Sequence, residues 1–184
     1  MKIGKKDCQD LERALSLEWL EQNGRGGFAS GTVAGAHTRR YHALLLTARK
    51  PPSERFVLVN HLEEWLAIDG QVVPLSTNLY PGAVHPTGYE HCVEFSTDPW
   101  PIWTFACNGM RLQREILLIQ GRDLAIVRWT LLGRKKQRAV LRVRPKLTAR
   151  DYHGTHHENE SLSTEASIGD GLVAWQLYPD VPPV

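Results

Sequence analysis

The sequence has almost no net charge. Twenty-two Lys and Arg face 20 Asp and Glu, giving +2 over 184 residues. So even a balance offers no bulk electrostatic reason for a nucleic-acid partner. The basic residues are scattered, apart from Arg134-Lys135-Lys136-Gln137-Arg138, which reads as a solvated hairpin tip. Long apolar runs are missing. None approaches the ~18 residues a helix needs to cross a bilayer, so no membrane partner is expected. The first residues are charged and polar, without the apolar stretch of a secretory leader. Cysteine is scarce: Cys8, Cys92 and Cys107 are an odd number with no metal or redox spacing. That excludes a closed disulfide framework, favours a reduced cytoplasm, and leaves each thiol as a small core hydrophobe. Helical periodicity is nearly absent as well. Its best trace is Asp10 to Leu17, with Leu11, Ala14 and Leu15 on one side. No βαβ alternation, phosphate loop or internal repeat is found, and no cofactor is implied.

What is present is a succession of short strands and tight turns. Tyr41 to Thr47 is a compact apolar run. Phe56-Val57-Leu58-Val59 continues through Leu62 into Trp65-Leu66-Ala67-Ile68, and Asp69-Gly70 then predicts a hairpin, because both central residues of the favoured turn need positive φ. Ile102 to Ala106 leads to Asn108-Gly109, a second such turn, and Leu112 to Ile119 returns from it. Leu124 to Leu131, Ala139 to Arg144 and Leu172 to Leu177 complete the series. In Ala139 to Arg144 apolar and charged residues alternate, so one face is expected buried and the other wet. Many strands at short spacing predict an all-β fold, a large antiparallel sandwich. Pro74 to Pro86, with three prolines and no periodicity, reads as a long functional loop. Asp98-Pro99-Trp100-Pro101 reads as a rigid aromatic turn. Trp103, Trp129 and Trp175 are expected in the core, Trp100 exposed, and Tyr80 exposed in the long loop.

One segment departs from this pattern. Glu18 to His42 holds five glycines, three arginines and two histidines, with Trp19, Phe28 and Tyr41 among them. Glycine weakens a strand unless the backbone must bend or approach something closely. The segment is therefore either a tightly turned corner, its arginines paired with Glu18 or Glu21, or a surface shaped around a ligand. Aromatic rings beside Arg, Asn and His are the inventory of a sugar site, since pyranose C–H faces stack on rings and hydroxyls bond to planar polar groups. His153, His156 and His157 near Asp151 and Glu158 have spacings seen in zinc sites. Their Gly-Thr and Asn-Glu-Ser surroundings predict a polar hydrogen-bonding loop, and no metal is expected.

The run Glu18-Trp19-Leu20-Glu21-x-Asn23-Gly24-x-Gly26-Gly27-Phe28-Ala29-Ser30-Gly31-Thr32 resembles the opening motif of the N-terminal domain of bacterial and archaeal glycogen debranching enzymes of the amylo-α-1,6-glucosidase type. Gly35-Ala36-x-Thr38-Arg39-Arg40-Tyr41-His42-x-Leu44-Leu45, the Pro74 to Tyr89 block, Phe95-x-x-Asp98-Pro99-x-Pro101-x-Trp103, and Arg144-Pro145 with Arg150-Asp151-Tyr152-His153 follow in that family's order. His37 stands where the family usually has Asn, and Phe28 where it usually has Tyr.

The resemblance implies a large β-sandwich of the glucoamylase N-terminal type over residues 18–184, after a lead-in of residues 1–17. It implies that the hydrolytic carboxylates belong to a separate (α/α) toroid absent from this sequence, and that the sandwich's last strands lie past Val184. Glycoside hydrolysis needs two carboxylates flanking the bond. Here adjacent Glu63 and Glu64 would point to opposite faces of a strand, and no other pair is marked by context. The implied partners are an α-glucan and the catalytic toroid. Asn23, Arg39, Arg40, His42, Asn78, Tyr80, His85 and Asp151 are expected to bind substrate or line the interdomain face, with no catalytic residue among them. A free-standing glucan-binding module and a purely structural packing domain are the alternatives.

Overall fold

The computed structural model describes residues 1–133, 138–157 and 160–184. Most of the predicted hairpin tip therefore lies outside the described residues, as does Glu158. The chain opens with Lys2–Gly4 (β1) and two short helices, Lys5–Gln9 (α1) and Leu11–Ser16 (α2). The Asp10 side chain caps α2 by accepting from Arg13 N at 3.0 Å. Only α2 was foreshadowed by periodicity. Strands Glu18–Gln22 (β2), Phe28–Thr32 (β3), Ala43–Lys50 (β4), Ser53–Ile68 (β5) and Gln71–Pro74 (β6) follow. Then come Thr77–Tyr80 (β7), Ala83–Thr87 (β8), Cys92–Ser96 (β9), Ile102–Cys107 (β10) and Met110–Leu118 (β11). Ala125–Leu132 (β12), Ala139–Asp151 (β13), Ala166–Gly169 (β14) and Leu172–Trp175 (β15) close the series.

The strands build an all-β antiparallel sandwich. One sheet runs β1-β9-β10-β11-β12, the other β13-β5-β4-β3-β2 with β6 also on β5. β7–β8 and β14–β15 are separate hairpins. A single apolar cluster joins the two sheets, with Phe95, Trp103, Phe105 and Leu112 from one meeting Trp19, Leu58, Leu66 and Ile68 from the other. Trp19 meets Trp103 edge-on at 5.3 Å between ring centroids, and Trp103 Nε1 donates to Val33 O at 2.9 Å. Residues 1–17 join this core through Ile3, Cys8 and Ala14. All three cysteines are buried thiols, and burial pushes Cys107 up to about 11. No helix among the described residues is long and apolar enough to cross a membrane.

The Asp69-Gly70 and Asn108-Gly109 hairpins form as read, with all four φ angles positive. Two expectations change. Pro74 to Pro86 is no loop: it contains the β7–β8 hairpin, turned at Pro81-Gly82 where Gly82 has φ of 75°. Proline fixes φ at one central position of such a turn and glycine supplies the positive φ at the next. Trp100 is half-buried, because Nε1 donates to Glu115 Oε1 at 3.1 Å. Of the tryptophans expected in the core, Trp103 is fully buried, while Trp129 and Trp175 are half-buried against it. The alternation in β13 holds for Leu141, which packs inward, but leaves Val140 and Val143 exposed.

Candidate functional site

β5 is the element that positions the site. It is 16 residues long and pairs with β13 along one side and with β4, then β6, along the other. Alternation sends Glu63 and Glu64 to opposite faces, as the sequence required. Glu64 is completely buried and takes Arg114 Nη1 at 2.8 Å and Trp129 Nε1 at 2.9 Å. The Arg114 guanidinium lies 4.1 Å from the Trp103 ring centroid, a cation–π contact away from water. Glu115 is buried too and accepts two hydrogen bonds from Arg128, at 2.6 and 2.7 Å, which hold its carboxyl below the usual range. Glu63 accepts from Arg144 Nε at 2.8 Å and from Asn78 Nδ2 at 3.1 Å, with Lys146 Nζ at 3.5 Å. Burial pushes Glu63 upward, but these partners outweigh it and its carboxyl sits below the usual range. Every buried carboxylate among the described residues is thus engaged by a cation.

On the Glu63 side lies a cleft of about 410 Å³, lined by His37, Asn60, His61, Asn78, Tyr80 and Lys146 among others. Its rim is the β7–β8 hairpin, clamped to β5. Ser76 Oγ accepts from Glu64 N at 2.7 Å, Leu75 N donates to Glu64 O at 2.9 Å, and Gly88 N donates to Ser76 O at 2.9 Å. Gly88 packs so tightly there that a Cβ would fall 2.2 Å from the Leu75 carbonyl carbon. His37 and His61 stand at the cleft's inner wall, and His42 lies beside His37 outside the lining. His37 meets His42 and His61 edge-on, each at 5.5 Å between centroids. Burial pushes His37 down to about 3, with His61's charge adding to the effect. Being neutral, His37 donates through Nδ1 to Asn60 Oδ1 at 2.7 Å. Burial lowers His61 and His42 as well, the former against the pull of Glu63 and the latter against that of Glu18. His42 Nδ1 accepts from Thr38 N at 3.2 Å, so its proton is on Nε2, 3.5 Å from Glu18 Oε1.

A second group gathers where β13 ends. The Tyr41, Tyr152 and His153 rings touch one another, with centroids 3.9 to 5.9 Å apart. Arg40 lies over Tyr41 at 5.7 Å and donates to His153 O at 2.8 Å. Arg150 is buried, donates to Gly154 O at 2.9 Å and also bonds Arg40 O, tying the residue-40 turn to the residue-153 loop. Arg39 pairs with Glu18 at 2.5 Å.

The eight expected site residues therefore separate. Asn78 and Tyr80 line the cleft. Arg40 and Asp151 belong to the ring group, where Asp151 Oδ1 accepts from His153 N at 2.8 Å. Arg39 and His42 flank Glu18. His85 is exposed on β8 and lines neither. Asn23 is fully buried: Oδ1 accepts from Arg25 N and Gly27 N, while Nδ2 donates to Arg122 O and Asp123 Oδ1. The corner reading of the glycine-rich segment is seen in Gly24, Gly26 and Gly35, which turn the chain at positive φ, and Arg40 and Tyr41 lie together in the ring group. His153 and His156 go to separate rings, His156 to Tyr178 at 6.1 Å. Sequence reasoning missed His37, Asn60, His61 and Lys146 in the cleft. Asn60 and His61 carried one available signal, two polar residues interrupting the apolar stretch from Phe56 to Leu62.

Fold and surface together define a two-sheet antiparallel β-sandwich domain that presents a polar cleft and an arginine-rimmed aromatic group. The sequence profile of the family described as glycogen debranching enzyme N terminal matches residues 17–184, nearly the whole chain, and the chain belongs to that family. No curated protein and no solved structure matches it.

Proposed function

We propose that this chain is the non-catalytic N-terminal domain of a glycogen-debranching amylo-α-1,6-glucosidase of the cytoplasm. It supports a catalytic (α/α) domain and helps hold α-glucan during glycogen breakdown. The observation that carries this reading is the Tyr41–Tyr152–His153 ring group rimmed by Arg40, in which Tyr41 and His153 are exposed and Tyr152 half-buried, rings suited to stacking on pyranose faces beside a donor for hydroxyls. The role is positioning, in which a bound branch loses freedom before chemistry occurs elsewhere. The non-catalytic part is supported by the buried carboxylates, each already neutralised by an arginine, whereas hydrolysis asks for a pair facing the scissile bond.

A second reading, packing alone, is favoured by the internal use of Asn23 and Arg150, whose polar groups are taken up by backbone and side chains. Calorimetric titration of the chain with maltoheptaose and with branched limit dextrin separates the two. Saturable heat at millimolar sugar is expected. Its absence with both ligands rules out glucan binding and leaves packing.

A further inference from the structure

We propose that the cleft between the β7–β8 hairpin and strands β5 and β13 is a subsite for one uncharged hexose unit, with Tyr80 as its stacking platform and Asn60, Asn78 and Lys146 as its hydroxyl contacts. The proposal rests on the glucan reading above and adds a second, separate contact to it.

The size is suitable. About 410 Å³ falls within the ~300–1,000 Å³ typical of small-molecule pockets. The charge is suitable for a neutral ligand. Glu63 and Lys146, the two charged residues of the lining, stand 3.5 Å apart, and Arg144 holds Glu63 as well, so that the carboxylate is spent within the protein. A bare cation would meet the Lys146 ammonium and a carboxylate already engaged by two cations. Tyr80 leaves 55% of its surface exposed on a hairpin that is otherwise clamped in place, so its ring is presented without being free to wander.

The unspent hydrogen-bonding capacity completes the match. Asn60 Oδ1 is taken by His37 and Asn78 Nδ2 by Glu63. Each amide is thereby fixed in orientation and keeps its other end unengaged among the described residues, a donor on Asn60 and an acceptor on Asn78. His61 Nε2 is buried without a protein partner. A hydroxyl both donates and accepts, so one sugar ring can meet an amide donor and an amide acceptor held at fixed positions. An apolar ligand would leave these groups unpaired, a cost that selects against it.

The test combines side-chain amide NMR of the chain, titrated with maltotriose, with calorimetry of Tyr80→Ala, Tyr80→Phe and Tyr41→Ala. The expected result is movement of the Asn60 and Asn78 amide signals. Tyr80→Ala should weaken binding about fivefold or more, within the range that aromatic stacking supplies, while Tyr80→Phe keeps most of it. Tyr80 is exposed, so neither variant endangers folding. Shifts confined to residues around Tyr41 and Tyr152, with affinity unchanged in Tyr80→Ala, overturn the subsite and leave the glucan reading standing. No shift with any maltooligosaccharide overturns both.

Discussion

Glu64 and Arg114 reach each other from opposite sheets of the sandwich and meet at 2.8 Å in its interior. Neither group could be left alone there, since a buried charge without its partner is far costlier than a paired one. Glu64→Gln and Arg114→Met are each expected to lose about 3–5 kcal/mol. The double replacement Glu64→Leu with Arg114→Met should recover much of that loss. Urea denaturation of the three variants checks this. Single variants within 1 kcal/mol of the parent, as an order-of-magnitude threshold, would show that the pair contributes little.

The row of half-buried and buried imidazoles predicts a pH dependence. His37, His42 and His61 all bind their protons less readily folded than unfolded, so the unfolded chain takes up more protons below its histidine pKa of about 6.5. Their contribution to stability is therefore complete above about pH 6.5 and is lost as pH falls, for His37 down to about 3. The urea midpoint should decline from pH 7.5 to pH 5. His37→Asn should flatten part of that slope, because asparagine has no proton to gain. An equal slope in parent and variant would remove His37 from the account.

Asn23 predicts a stability effect without a binding effect. Its side chain satisfies two backbone N–H groups of the turn and two acceptors of the residue-122 segment. Asn23→Ala should cost about 2–4 kcal/mol, since each unsatisfied buried group costs about 1–3. Thermal melting reads the loss, and calorimetry with maltoheptaose should show affinity unchanged in the folded fraction.

Gly88 is expected to tolerate no side chain. Gly88→Ala places a Cβ against the Leu75–Ser76 backbone, which cannot swing aside as a flexible side chain could. A loss of about 1–3 kcal/mol or more is expected. Hydrogen exchange at Tyr89 N, which donates to Thr77 Oγ1 at 2.9 Å, should accelerate ahead of exchange in β10.

The hairpins at Asp69-Gly70 and Asn108-Gly109 were legible because two adjacent residues sufficed to specify each turn. Pro81-Gly82 and Asp170-Gly171 turn hairpins too, the latter with both φ angles positive, and neither is among the turns expected from the sequence. Prolines around the first mask its strand pairing, which is why Pro74 to Pro86 reads as a loop. Opposite-facing Glu63 and Glu64 were legible from strand alternation, but their cations were not, since Arg114 and Arg144 are brought to them only by the packing of distant strands. The cleft was half legible. Asn78 and Tyr80 sit in a local motif, whereas Asn60 and Lys146 become neighbours of it only once β5 pairs with β13.

The long strand β5 also polices its own threading. Shifting its pairing by one residue would turn Glu63 toward the apolar interior, away from Arg144 and Lys146, and would turn Glu64 outward, away from Arg114. Misaligned chains would thus carry an orphan anion among aromatic rings and an orphan guanidinium over Trp103. Two consecutive acids, each matched to cations on its own side, make the correct alignment the one in which both are neutralised.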